Sequence, residues 1–167
     1  MVREVVRDKS WPELPDERGP EALSLGALGN LLGYHIAQAA VTTFDLYERH
    51  VGQPFSLRKV EYSLLMLILA NGPLAPKRLA QALALSAPNL TMLLDRMQVR
   101  GLLRRERSLV DRRSQNVVLT LEGEGVAAQS AEAAAPMEQA LFHRLSQAEH
   151  AMLIELLRKV AARGAGP

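Results

Sequence analysis

Between Ser24 and about Arg49, apolar side chains recur at Leu25, Leu28, Leu32, Ile36, Ala39 and Ala40, and Leu46 and Tyr47. Steps of three and four predict one continuous helix, about 39 Å long at 1.5 Å per residue. Leu31, Ala37, Val41 and Phe44 give it a second apolar side, so more than one neighbour is expected. Gly52 and Pro54 are expected to end it. Ahead of it, residues 1–23 predict an extended arm, because Pro12, Pro15, Gly19 and Pro20 interrupt regular structure; Trp11 is its expected anchor.

The helical period resumes with Val60, Leu64, Leu67 and Ile68, in a helix that Ser56 is expected to open and Asn71-Gly72-Pro73 to stop. A short helix over 76–83 follows, with Pro76 in the first turn, where a missing N–H breaks no bond. Ser86 reads as the N-cap of the next helix. It runs to Arg100 with Leu90, Leu93, Leu94 and Met97 inward, closed by Gly101 in a left-handed conformation. Leu102-Leu103 and Val117-Val118-Leu119 then flank a polar stretch and predict a β-hairpin. Thr120 is the expected N-cap of a helix from Leu121 through an Ala-rich segment, kinked or broken at Pro136. Ser146-Gln-Ala-Glu149 is a capping box opening a last helix with Ala148, Met152, Leu153, Leu156, Leu157 and Val160 on one side.

Composition agrees with a mainly helical chain. Of 167 residues 48% are hydrophobic, mostly Leu and Ala, and only 4% aromatic, which favours helix over sheet. No apolar run approaches the roughly 18 residues of a membrane span. The charged, Pro-rich N-terminus is unlike a signal peptide, so a cytoplasmic location is expected. The absence of cysteine excludes disulfides, thiolate metal sites and thiol redox switches.

Charge changes the picture by its distribution. The formal total is only +2, yet Arg96 to Arg113 holds seven arginines (96, 100, 104, 105, 107, 112, 113) against Glu106 and Asp111. That stretch is +5 and the remainder −3. A basic patch on a mildly acidic body suits a polyanion-binding face.

The order of elements over 56–120 gives the patch a shape. Two helices meet at the tight turn Ala84-Leu85-Ser86, which is helix-turn-helix spacing. The second begins with Ser86, Ala87, Asn89 and Thr91, side chains short enough to let a helix N-terminus enter a major groove. Met92 lies on the same side and is suited to a thymine methyl; Arg96 follows one turn later. The hairpin comes next, with Arg104, Arg105, Arg107, Arg112 and Arg113, and its planar guanidinium heads fit the potential of a narrow minor groove. Asp111 repels phosphate but can fix the direction of Arg113 or Arg105 across the hairpin, or simply start its turn. This is the order of a winged helix-turn-helix.

The run Leu79-Ala-Gln-Ala-Leu-Ala-Leu-Ser86, then Pro88-Asn-Leu-Thr91, Leu94-Asp-Arg-Met97, Arg100-Gly-Leu-Leu103, Arg105, Asp111-Arg-Arg113 and Leu119-Thr120 resembles the MarR family, winged-helix regulators named for multiple antibiotic resistance. The likeness is strongest over about 56–125 and looser elsewhere. It implies a dimer built by the first helix and the last two. It also implies an effector site for a small, often anionic aromatic ligand, with Tyr34, His35, Gln38, Arg58 and Tyr62 as candidates. Lacking cysteine, the chain does not fit the peroxide-sensing branch. It departs from the family's pattern at Ala84, where glycine is usual, and at Met92, where a polar residue is usual.

The expected layout is an arm over 1–23, a dimerisation helix over 24–55, the DNA-binding domain over 56–120, and C-terminal dimerisation helices over 121–167. Double-stranded DNA, a second copy and a small effector are the expected partners, and no cofactor is expected. Independently of the family, 24–49 and 121–162 hold more apolar surface than a winged helix of about 65 residues can cover. A C2 dimer buries it and predicts a near-palindromic operator. An enzyme is disfavoured: His35, His50, His143 and His150 show no metal-ligand spacing, and no nucleophile or phosphate-loop motif is present. A winged-helix adaptor that binds protein without touching DNA is the rival; it does not call for an arginine-rich wing.

Overall fold

A computed structural model of the chain describes residues 23–107 and 115–162. Trp11, most of the expected arm, and the hairpin tip with Asp111, Arg112 and Arg113 lie outside the described residues. Two compact units divide between Phe44 and Asp45.

The first unit corrects the expectation of one unbroken helix. Gly26–Asn30 form a 3-10 turn, Leu31 is extended with φ −94° and ψ 106°, and only then does α1 (Leu32–Tyr47) begin. Gly26, at φ 50°, lies on the left-handed side that glycine tolerates.

Nor do Gly52 and Pro54 stop the chain. After α1 the backbone continues as a π-helical turn, Glu48–Gly52, and a single α turn, α2 (Gln53–Phe55). The stop is Ser56, at φ 50° and ψ 42°, so Ser56 ends this run rather than opening the next. The next helix, α3 (Lys59–Asn71), has Arg58 as its N-cap residue, and the Glu61 carboxylate accepts the Arg58 backbone N–H at 2.9 Å. Buried Val51 and Tyr47 pack with Ala134, and that tertiary contact holds the turn helical across the glycine.

Further along, sequence and structure coincide. α4 (Pro76–Ala82) and α5 (Ala87–Val99) meet at the Leu83–Ser86 turn, and Gly101 closes α5 at φ 73°. β1 (Leu103–Arg107) pairs antiparallel with β2 (Gln115–Leu119), Leu103 opposite Leu119 and Arg107 opposite Gln115. Leu74 adds a bridge to Val117 through two backbone hydrogen bonds of 3.1 and 2.8 Å. Leu64, Leu65, Leu79, Met97 and Val117 fill the centre of the resulting core, each fully buried.

α6 (Leu121–Phe142) corrects a second expectation: it runs unbroken through Pro136 for 22 residues. Ala134 and Met137, on either side of the proline, both pack on the Tyr47–Val51 cluster, so contacts on both flanks keep the helix in one piece. α7 (Gln147–Ala161) opens with the expected capping box and has no buried residue. Its Met152, Leu153, Leu156, Leu157 and Val160 are all exposed. No described helix is long and apolar enough to cross a membrane.

Candidate nucleic-acid interface

Ser86 fixes the start of α5. Its backbone is extended and its hydroxyl accepts the Asn89 N–H at 3.4 Å, as an N-cap does. Ala87, Asn89, Thr91 and Met92 are exposed, Met92 at 63%, while Leu90, Leu93, Leu94 and Met97 anchor the opposite side. One side of α5 is thus committed to the core and the other left to solvent. The Thr91 hydroxyl donates to the Ala87 carbonyl at 3.0 Å, which leaves its oxygen lone pairs facing outward as acceptors.

The turn before α5 carries strain. Ala84 has φ 53°, so alanine adopts the left-handed conformation rather than avoiding it, at a penalty of about 1 kcal/mol against glycine.

The hairpin brings its arginines alongside. Arg105 and Arg107 share one face of β1, and Arg104 and Glu106 the other. Arg104 binds Glu106 through Nε at 2.8 Å and a terminal nitrogen at 2.7 Å. Arg105 reaches Asp95 on α5 at 2.5 Å. A carboxylate from the helix thus fixes Arg105; Asp111, expected to orient Arg113 or Arg105, lies outside the described residues. Arg107 is exposed at the end of the described strand.

Arg96, expected among the DNA contacts, has its Nε on Glu61 Oε1 at 2.9 Å. Glu61 is only 2% exposed. Its other oxygen meets Arg100 at 3.4 Å as well as the Arg58 N–H, and Arg100 also donates to the Ser56 and Phe55 carbonyls at 3.0 and 3.4 Å. Sequence reading overlooked Glu61. Its signal was the spacing Arg58-x-x-Glu61, the acidic half of a capping box without the usual Ser or Thr. Gly123 was overlooked too. A Cβ there would overlap the Leu102 carbonyl oxygen, so this glycine lets α6 lie against the start of the wing. Thr120 completes the joint, accepting from Gly123 N–H at 3.0 Å and donating to the Gly101 carbonyl at 2.5 Å.

The effector candidates fall on both units. In the first, His35 places a ring nitrogen 2.8 Å from the Gly29 carbonyl and meets Tyr34 edge-on at 5.5 Å between ring centres; His35 and Gln38 are exposed. In the second, Arg58 is exposed and Tyr62 is half-buried, edge-on to Tyr47 at 5.8 Å. Burial, with the Glu138 charge next, raises the Tyr62 phenol above its usual range. Tyr62, Met66, Leu67 and Leu83 line an open apolar groove of about 590 Å³, with Lys59 at its edge. No cluster of metal-ligating side chains occurs among the described residues.

A helix with an exposed start, tied farther along to an arginine-bearing hairpin by an ion pair and backed by a leucine core, defines a winged helix-turn-helix DNA-binding protein. The MarR family model matches residues 55–114. The transcriptional regulator HosA of Escherichia coli is 32% identical over 104 residues, 62% of this chain and 77% of HosA. The transcriptional repressor CouR, bound to a 23-mer DNA duplex, superposes with a TM-score of 0.76 at 30% identity, covering 84% of this chain and 99% of CouR. CouR bound to p-coumaroyl-CoA gives 0.74 at 27% identity, over 85% and 99%. The chain belongs to the MarR family of winged-helix transcriptional regulators.

Proposed function

We propose that the protein is a homodimeric, sequence-specific repressor that a small aromatic, anionic ligand releases from a near-palindromic operator. The observation that carries this reading is the Asp95–Arg105 pair, which ties an arginine-bearing strand to α5, the helix whose start is exposed. In it, Ser86, Ala87, Asn89, Thr91 and Met92 address the major groove. Arg104, Arg105, Arg107, Arg112 and Arg113 address the backbone or the neighbouring minor groove, with Asp111 orienting Arg113. Residues 56–120 are the DNA-binding domain, and 24–55 with 121–167 make the dimer.

The apolar side of α7 supports the dimer. Met152 at 61%, Leu156 at 50% and Val160 at 55% are too exposed for a stripe with no use, and a second copy of the same stripe buries them symmetrically. Two-fold symmetry repeats α5 along one face of DNA, hence the near-palindrome. Repression needs only occupancy of a promoter, and release needs only a change in the spacing of two α5 helices.

For the ligand, the Tyr62 groove supplies an aromatic wall and apolar lining, with Lys59 the cation among its residues; Arg58, exposed one residue before Lys59, is a further candidate for a carboxylate, and Tyr34, His35 and Gln38 are the candidates on the first unit. That CouR is a repressor which binds both DNA and p-coumaroyl-CoA supports the same division of labour, and aromatic acids and their thioesters come first in a ligand screen.

The test is fluorescence anisotropy on the DNA upstream of the protein's own gene against scrambled DNA, across a salt series. Tight, salt-steep binding that prefers the native fragment and falls on adding an aromatic acid or thioester supports repression with release. Absence of binding even at low salt would sink the DNA reading.

A further inference from the structure

The buried Glu61 carboxylate has a use that the proposed contacts do not absorb. It is 2% exposed, and three donors meet it: the Arg58 N–H, Arg96 and Arg100. Arg96 comes from the C-terminal half of α5 and Arg100 is its C-cap, while the carboxylate comes from the first turn of α3. Arg100 is spent on this junction, since it also binds the Ser56 and Phe55 carbonyls. Arg96 differs: it is 41% exposed and is bound through Nε. It also lies one turn, four residues, beyond Met92, on the side of α5 that faces solvent.

We infer that Glu61 is a positioning residue that sets DNA specificity by withholding Arg96 from phosphate and fixing the roll of α5. An arginine free at this place adds a phosphate contact on any sequence, because phosphates are everywhere. Held on the buried Glu61 carboxylate, the same guanidinium has its charge compensated and its direction fixed, so it adds less to non-specific binding and instead locks the helix whose N-terminal residues face the bases. Arg105 on Asp95 locks the neighbouring residue of α5 toward the wing. The inference rests on the DNA-binding reading above.

The experiment measures the salt slope of affinity for the operator and for scrambled DNA in the wild type, Glu61→Gln, Arg96→Gln and the double variant. Glutamine keeps the size and an acceptor oxygen but loses the charge. For Glu61→Gln, scrambled-DNA affinity should rise about threefold or more and its slope should steepen by about 0.9, one phosphate. Operator preference should fall several-fold. Adding Arg96→Gln should return the slope to the wild-type value, and Arg96→Gln alone should leave it unchanged. A merely structural Glu61 shifts the melting temperature but not the slope. A folded Glu61→Gln with wild-type slope overturns the inference, and so does an Arg96→Gln slope shallower by about one phosphate. The second result is decisive even where Glu61→Gln does not fold. A wild type without salt-steep binding overturns the DNA reading itself, whereas a salt-steep wild type with unaltered variants overturns this inference alone.

Discussion

Asp95 and Arg96 are neighbours on α5 and are drawn in opposite directions, the carboxylate to Arg105 on β1 and the guanidinium to Glu61 on α3. Two adjacent charges of opposite sign thereby fix the rotation of one helix between the wing and the core. The pair to the wing is partly solvated, so it contributes little to stability and its effect belongs to binding.

That difference yields a test of the wing. Arg105→Ala removes a cation and leaves Asp95 as an unpaired carboxylate on a face that phosphates approach. Operator affinity should fall, and Asp95→Ala added to it should recover roughly threefold to tenfold. Anisotropy titrations with parallel thermal melts decide it: melts should barely move, and a double variant no better than the single one contradicts the arrangement.

At the turn, Ala84→Gly should stabilise the protein. Relief of the left-handed alanine exceeds the extra freedom glycine gives the unfolded chain, for a net gain of about 0.5 kcal/mol. Ala84→Val, β-branched in the same conformation, should destabilise by more than that. Chemical denaturation of both would show opposite shifts in midpoint if Ala84 is strained.

Gly123→Ala should be severe. The added methyl overlaps the Leu102 carbonyl, which is backbone and cannot swing away, so either α6 or the wing must shift. A loss of more than about 2 kcal/mol is expected in denaturant melts. Gly125→Ala, with nothing within 4 Å, serves as the tolerated control. Equal stability of the two variants would contradict the close approach.

If α7 is a dimer face, Leu156→Glu should break it. Two symmetric copies each lose the burial of a leucine and each bring a charge, so the dissociation constant should rise at least about 100-fold. Sedimentation velocity at micromolar protein should show monomer, and operator binding should drop with it. A variant that stays dimeric would move the interface elsewhere.

The α7 cap should be pH-dependent. The Ser146 side-chain hydrogen bond, then the one from its backbone, holds the Glu149 carboxyl below its ordinary 4.5. A carboxyl with a lowered folded value stabilises above the unfolded value, and that contribution disappears as pH falls through the folded one. Glu149→Gln should therefore lower α7 helicity at pH 7, and the gap to wild type should close on strong acidification. Circular dichroism across pH 2–7 reads it; a gap that is constant with pH would mean the carboxylate charge is irrelevant to the cap.

What was legible in the sequence was what depends on near neighbours in the chain. Ser86, Thr120 and Ser146 cap as expected because an N-cap is a contact three residues long. The α5 stripe of Leu90, Leu93, Leu94 and Met97 is buried as expected for the same local reason. Pro136 and Gly52 misled because their ordinary local effect is overruled by the Tyr47, Val51 and Ala134 cluster, in which Ala134 lies more than 80 residues from the other two. Glu61 was only half legible for a related reason: the spacing from Arg58 could signal a cap, but its partners Arg96 and Arg100 are 35 and 39 residues downstream. Periodicity likewise gave no sign of the break at Leu31, an apolar residue that fits the helical pattern on either side.

The joint of Gly101, Leu102, Thr120 and Gly123 leaves no slack between the hairpin and α6. A helix of 22 residues, about 33 Å long, is thus the arm of a lever with its short end welded to the wing. Any rotation of the first turn of α6 is shared with the hairpin, because the two meet backbone to backbone at Gly123 and Leu102.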